Sequence, residues 1–226
     1  MVFKTELHCH SSVVSACGVI TPEQIVERYT EAGYSTVVLT EHFSPATFSP
    51  ENYLGGEDWQ SRVDFFLSGY NELKKAAGDR LHILLGAEFR VDHHSGTDFL
   101  VYGLTERALR NELVDLLFDN HRTLSERLRG AGCLFVQAHP FRNNMKVIDP
   151  ALLDGVEVFN GNLSQDSRNE VAAFYAERYG LIPTSGTDTH RESARINGGI
   201  LTEQPITSNE ELLHVLKSRA YTLIQG

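Results

Sequence analysis

The sequence is poor in several features that would point to a particular kind of protein. It has three cysteines, Cys9, Cys17 and Cys133, among 226 residues. That number is odd and too small for a disulfide framework, so a reducing, cytoplasmic setting is expected. Its 20 lysines and arginines are outnumbered by 30 acidic residues, for a formal charge of −10. Such a chain lacks the basic surface of a general nucleic-acid binder. No apolar run approaches the length of a membrane span, and because Met1-Val2-Phe3-Lys4 leads straight into the first patterned segment, no signal peptide is expected. Repeats, low-complexity tracts and linkers are missing too. With 41% hydrophobic residues the chain can bury one large core, and one domain over residues 1–226 is expected.

What the sequence does contain is a strand followed by a helix, over and over. Strands are predicted over residues 3–8, 35–40, 81–87, 99–102, 133–138, 156–159, 181–185 and 221–224. Helices are predicted over 21–32, 60–77, two stretches within 107–131, 165–179 and 209–218. Thr21-Pro22-Glu23-Gln24 marks the first helix start, with an N-cap, a proline at the first helical position and a capping-box glutamine. Residues 43–59 are turn-rich and read as a loop insertion. Alternation of this kind implies a parallel sheet, either a closed barrel or a doubly wound sheet.

The chemistry falls at the ends of the strands. In Glu6-Leu7-His8-Cys9-His10, strand geometry sends His8 and His10 to one side and Cys9 to the other. Two imidazoles converging in this way are a metal-ligand geometry; the plain alternative is an edge strand with two solvated histidines. Glu41-His42 follows the second strand, Glu88 ends the third, and His139-Pro140-Phe141-Arg142 and Asp188-Thr189-His190 follow later ones. Each has an ordinary reading of its own: a turn cap at His42, an ion pair of Glu88 with Arg90 or Arg142, a helix cap at Asp188. All of them behaving alike is better explained by one shared site. In a barrel every C-terminal strand end meets at one rim, whereas an open sheet would spread these residues apart, so the pattern favours a barrel. His82, His121 and His214 lie elsewhere, at a strand start, between helices and within a helix, and read as structural or solvated. His93 and His94, in a loop after Glu88, read as surface residues.

Taken in order, His-x-His, Thr-Glu-His, Gly-Ala-Glu, Ala-His-Pro-Phe-Arg and Gly-Thr-Asp-Thr-His resemble the PHP (polymerase and histidinol phosphatase) superfamily from Glu6 to about Gly199. The resemblance implies a distorted (β/α)7 TIM-like barrel holding two or three divalent ions, commonly zinc, manganese or iron. It further implies that His8, His10, Glu88 and Asp188 hold a first ion, that Glu88 bridges to a second held by His139, and that His42 and His190 hold a third. Glu6 and Glu41 look like carboxylates that orient the ligating imidazoles. Two departures stand out. Where the family usually offers an Asp, Glu or His shortly after His-x-His, this chain reads Ser15-Ala16-Cys17-Gly18, so only Cys17 can substitute. The family's histidine at the fourth strand is also missing from Val101-Tyr102-Gly103.

The expected activity is hydrolysis of a small phosphorylated molecule by a metal-activated water. Arg142 is expected to clamp the phosphate, with Arg191 and Arg195 as lesser candidates, and Asp188 or His190 to protonate the leaving group. Arg142 could instead form a surface ion pair with Asp149 or Glu157. Two other readings compete: a non-catalytic, regulatory metal-binding barrel, and an amidohydrolase, which also begins with His-x-His. A DNA-processing role is disfavoured by the acidic charge.

Overall fold

The computed structural model describes residues 2–91 and 96–226. Strand β1 (Phe3–Cys9) lies at the heart of the first sheet, flanked on one side by parallel β2 (Tyr34–Leu39) and β4 (His82–Leu85). On its other side β10 (Ile200–Thr202) pairs antiparallel with it, and β11 (Thr222–Leu223) follows. The second sheet runs β3 (His42–Phe43), β5 (Ala87–Phe89), β6 (Phe99–Tyr102), β7 (Leu134–Gln137), β8 (Gly155–Asn160) and β9 (Ile182–Gly186). Its pairs are parallel except at β6, which runs antiparallel to both β5 and β7.

The fold is thus mixed α/β with two sheets that do not close into one continuous ladder, where sequence pattern alone favoured a closed parallel barrel. Two kinds of break separate them. The predicted strand 81–87 divides at Gly86 into β4 and β5, and the preceding strand divides at Thr40-Glu41 into β2 and β3. Single backbone bonds carry the pairing across, from Gly86 N–H to the Leu39 carbonyl at 3.0 Å and from Glu88 N–H to that of Glu41 at 2.9 Å. At the other seam β1 meets the segment after β9 through an isolated bridge, Cys9 with Thr189. There His10 N–H donates to the Thr189 carbonyl at 3.0 Å and Asp188 N–H to that of His8 at 2.8 Å.

Helix boundaries follow local chemistry. Helix α1 (Pro22–Glu31) carries the complete capping box of Thr21 and Gln24. Asp58 caps α2 (Trp59–Ala77), Asn120 caps α3 (His121–Gly130) and Ser208 caps α5 (Asn209–Ser218), each accepting the N–H three residues on. Helix α4 (Asn169–Tyr179) starts four residues later than predicted, after Arg168 at φ +48°. Of the two stretches expected within 107–131, the first is only a π-turn over Ala108–Glu112 and a 3-10 turn over Leu116–Phe118. His121, expected between helices, opens α3 instead.

The core divides as the strand alternation requires. Cys9 packs with Ile20, Ile25, Val37 and Leu73 under α1 and α2, facing away from His8 and His10. Leu7, Leu100, Tyr102 and Val136 form a second cluster against α5, and Phe43, Phe66, Phe89 and Phe135 belong to a third. At the end of β9, Gly186 has no room for a side chain, because a Cβ there would overlap the Cβ of His8. Glycine at this point lets β1 and the end of β9 approach each other. Among the described residues no helix is long and apolar enough to cross a membrane.

Candidate metal centre

The sequence-predicted histidines and carboxylates do converge. His8, His10, Glu88, His139 and Asp188 are all buried. The Nε2 atoms of His8 and His10 stand 3.1 Å apart. Glu88 Oε2 lies 3.5 Å from the first and 3.2 Å from the second, and Asp188 Oδ1 lies 3.4 and 3.6 Å from them. Glu88 also reaches His42 Nδ1 at 3.0 Å through Oε2 and His139 Nε2 at 3.0 Å through Oε1. The ring of His10 packs against those of both His42 and His190, at 4.4 and 4.3 Å between centroids.

The outer nitrogens of the two leading histidines are held by hydrogen bonds. His8 Nδ1–H donates to Glu157 Oε1 at 2.8 Å. The Ser15 hydroxyl donates to Glu41 Oε2, so toward His10 Nδ1, at 3.2 Å, it must accept. Both histidines therefore turn Nε2 inward. Two donors bonded to one ion at about 2.0–2.2 Å stand between about 2.8 and 4.4 Å apart, and the Nε2 atoms of His8 and His10 meet that spacing with each other, with Glu88 Oε2 and with Asp188 Oδ1. Nitrogen and oxygen donors of this kind suit zinc, manganese or iron. His139 is less constrained, since its Nδ1 is buried without a hydrogen-bond partner among the described residues. Its Nε2 can turn either an N–H to Glu88 or a lone pair to a cation.

Electrostatics agree with a cation site. Burial alone would depress His8, but Asp188, Glu157 and Glu88 outweigh it and hold its pKa well above the usual imidazole range. His10 is driven the other way, by burial and by the charges of His190 and His42. Burial opposes ionisation of Glu88, yet His42 and His8 keep it well below the ordinary carboxylate range. Asp188 is likewise held low, against burial, by His8, His190 and Arg142.

Backbone strain marks the same residues. Asp188 at φ +56° and His139 at φ +27° occupy the left-handed region, which costs about 1–3 kcal/mol each unless the surroundings hold them. Asp188 is held by Arg142 Nη2, which donates to its Oδ2 at 2.6 Å, and by Asn160 Nδ2 at 3.2 Å. Arg142 also donates to Asn160 Oδ1 at 2.5 Å and to Ser167 Oγ at 3.0 Å. Neither Asp149 nor Glu157 is its partner, and Glu88 pairs with neither Arg90 nor Arg142, which are taken by Asp98 and Asp188.

Cys17 closes the last turn of the segment after β1. Gly18 N–H bonds to the Ser15 carbonyl at 2.8 Å and Val19 N–H to that of His190 at 2.8 Å. Burial would raise the Cys17 thiol, but hydrogen bonding to His190 and then His42 brings it down to about 6. His42 and His190 are 22% and 18% exposed, so this corner is the open one. It faces a cavity of about 430 Å³ lined by Cys17, Arg142, Asp188, His190, Arg191 and Arg195.

Glu6 does not touch an imidazole ring. Its Oε1 accepts the N–H groups of Leu7, His8 and Thr187, each at 2.9 Å, and Oε2 accepts the Tyr29 hydroxyl at 3.0 Å. It therefore fixes the backbone at the seam. Glu41 acts at one remove, through the Ser11 and Ser15 hydroxyls. The carboxylate that orients His8 directly is Glu157, which sequence reading did not place here. A signal existed: Glu157 is a lone charge within the apolar strand Gly-Val-Glu-Val-Phe-Asn, and such a residue is never left without partners. His93 and His94 lie outside the described residues.

Comparison with known proteins bears on the identity of the fold. No curated protein sequence matches the chain. Among solved structures, a two-domain protein from Bacteroides vulgatus containing a PHP-like metal-dependent phosphoesterase superposes with a TM-score of 0.70 at 16% identity. That match covers 100% of this chain and 65% of the other, so the chain spans under two thirds of it. A protein from Bifidobacterium adolescentis assigned as a metal-dependent phosphoesterase gives 0.55 at 18% identity, covering 94% and 95% of the two chains. A lesion-specific endonuclease from Pyrococcus furiosus gives 0.64 at 16% identity, covering 99% and 58%. The model of the PHP domain matches residues 6–220, and the chain belongs to that family.

Proposed function

We propose that this protein is a metal-dependent phosphoesterase that hydrolyses a small phosphorylated molecule. The carrying observation is that His8, His10, Glu88 and Asp188 bring buried donors together, and that Asp188 among them also lines a cavity with Arg142, Arg191 and Arg195. Two or three divalent ions held here, as zinc, manganese or iron, would supply Lewis-acid charge and lower the pKa of a water nucleophile. His8, His10, Glu88 and Asp188 hold the first; Glu88 and His139 belong to the second; His42, His190 and Cys17 belong to the third. Arg142 keeps Asp188 aimed so that Oδ1 faces the histidines while Oδ2 stays occupied. Arg142, Arg191 and Arg195 offer guanidinium donors to phosphate oxygens in the cavity. His190, against Asp188 Oδ1 at 3.2 Å and on the cavity wall, is placed with Asp188 to pass a proton to the leaving oxygen.

On the same reading the two sheets form one distorted (β/α)7 barrel over residues 1–226, with the bonds at Gly86, Glu88, His10 and Asp188 as its irregular staves. The free state of Cys9, Cys17 and Cys133 supports a cytoplasmic setting. The acidic charge supports a small substrate over DNA.

Purified protein loaded with manganese or zinc is expected to release phosphate from members of a panel of phosphomonoesters and diesters, and to lose that activity in chelator. Activity on cyclic amides alone would replace this reading with an amidohydrolase, and fewer than about one bound ion per chain would favour a non-catalytic barrel.

Cys17 gives a separate check. In chelator-treated protein its alkylation by iodoacetamide should have a midpoint near pH 6, the thiolate persisting above that pH and being lost as pH falls through it. Cys9 and Cys133, whose thiols burial pushes upward, should not react. Zinc should slow alkylation of Cys17 by about tenfold or more if the thiolate is a ligand. An unchanged rate with zinc bound would remove Cys17 from the site.

A further inference from the structure

The C-terminal ends of the strands give the second ion position only Glu88 and His139, but other parts of the strands also reach the rim. Because β6 runs antiparallel to β5 and β7, its C-terminal end points away from the site. Tyr102 there donates its hydroxyl to the Leu7 carbonyl, and a Cβ on Gly103 would meet Leu213 of α5. The beginning of β6 is what reaches the rim. Phe99 pairs with Phe89 on one side and Gln137 on the other, and the carbonyl of Asp98 accepts Ala138 N–H at 3.0 Å. Continuing that register, Asp98 lies opposite Arg90 and Ala138, at the ends of β5 and β7 that carry Glu88 and lead to His139.

The Asp98 side chain is buried, with Oδ2 3.9 Å from His139 Nε2. Arg90 holds it in a two-point grip, Nε to Oδ1 at 2.5 Å and Nη2 to Oδ2 at 2.6 Å. A carboxylate has about four lone-pair directions, so this grip leaves acceptor capacity on both oxygens. His139 Nε2 faces Glu88 Oε1 at 3.0 Å on one side and Asp98 Oδ2 at 3.9 Å on the other. Both separations lie within the span of about 2.8–4.4 Å open to two ligands of one ion. An arginine gripping a carboxylate from behind is also how a ligand oxygen is kept aimed.

We infer that Asp98 is a protein ligand of the second divalent ion, alongside Glu88 and His139, and that Arg90 positions it. This assignment rests on the metal-dependent reading above. One imidazole and two carboxylates form an oxygen-rich set that suits manganese.

The test is a manganese titration of chelator-treated protein, read by calorimetry for ion number and by electron paramagnetic resonance for coupling between neighbouring ions. Wild type should bind at least two ions with a coupled signal. Asp98→Asn should lose the coupled signal and weaken one ion by about tenfold or more. Arg90→Met, which leaves the carboxylate in place, should keep the ion number. Should Asp98→Asn not fold, Asp98→Glu should alter the signal of the second ion. If Asp98→Asn and Arg90→Met lose stability alike while both keep two coupled ions, or if Asp98→Glu leaves the signal unaltered, Asp98 is only half of a structural ion pair and the assignment fails. If wild type binds no manganese or zinc, the metal-dependent reading falls and takes this assignment with it.

Discussion

Replacing Glu88 with glutamine is expected to lower kcat/KM for a phosphate ester by at least about a thousandfold. The reason is position. Glu88 touches His8, His10 and His42 through one oxygen and His139 through the other, so every proposed ion position borders on it. Lewis-acid stabilisation is worth several kcal/mol, and each ~1.4 kcal/mol is tenfold in rate, which gives the expected loss. The substitution is nearly isosteric but removes the charge that faces four imidazoles, and it places an amide –NH2 where one of them presents a nitrogen. Metal analysis of the purified variant should show at least one ion fewer than wild type, with the circular dichroism spectrum retained. A variant within about tenfold of wild-type activity, with its full complement of metal, would show that Glu88 is not the hub of the site.

Most of the site was legible because its residues obey one rule, that chemistry gathers at C-terminal strand ends. His8, His10, Glu88, His139 and Asp188 all follow it and all meet. What escaped was whatever broke the rule. Asp98 reaches the rim from the start of an antiparallel strand, and nothing in Phe99-Leu100-Val101-Tyr102 reveals strand direction, since antiparallel and parallel strands buried on both faces read alike. Glu157 lies within its strand instead of after it, and Asn160 closes the same strand as an ordinary polar residue. The two-sheet form was hidden for a related reason. Interruptions at Thr40-Glu41 and Gly86 are local backbone events, and they leave the order of strands and helices along the chain unchanged. The start of α1 was legible in its capping box at Thr21, that of α3 was missed although Asn120 caps it, and that of α4 has no side-chain cap at Arg168 to read.

Glu157 offers the second large effect, because glutamine cannot replace what it does. Its two oxygens accept three N–H groups: His8 Nδ1–H at 2.8 Å on Oε1, and His139 N–H and the Asn160 amide, each at 2.9 Å, on Oε2. Glutamine has one acceptor oxygen and one –NH2. If its oxygen faces His8, the –NH2 confronts two donors in a buried pocket, and stability should fall by about 1–3 kcal/mol. If it flips, the –NH2 donates to His8 Nδ1, the ring proton moves to Nε2, and the nitrogen turned toward the metal position is no longer a lone pair. Metal affinity should then fall by about 10–100-fold, the range for loss of a hydrogen bond behind a ligating histidine. Urea unfolding and zinc titration of Glu157→Gln distinguish the two arrangements, since the first lowers stability with zinc affinity kept and the second lowers affinity. Wild-type values in both measurements would mean that His8 takes its orientation from the strand alone, and that the carboxylate behind it is replaceable.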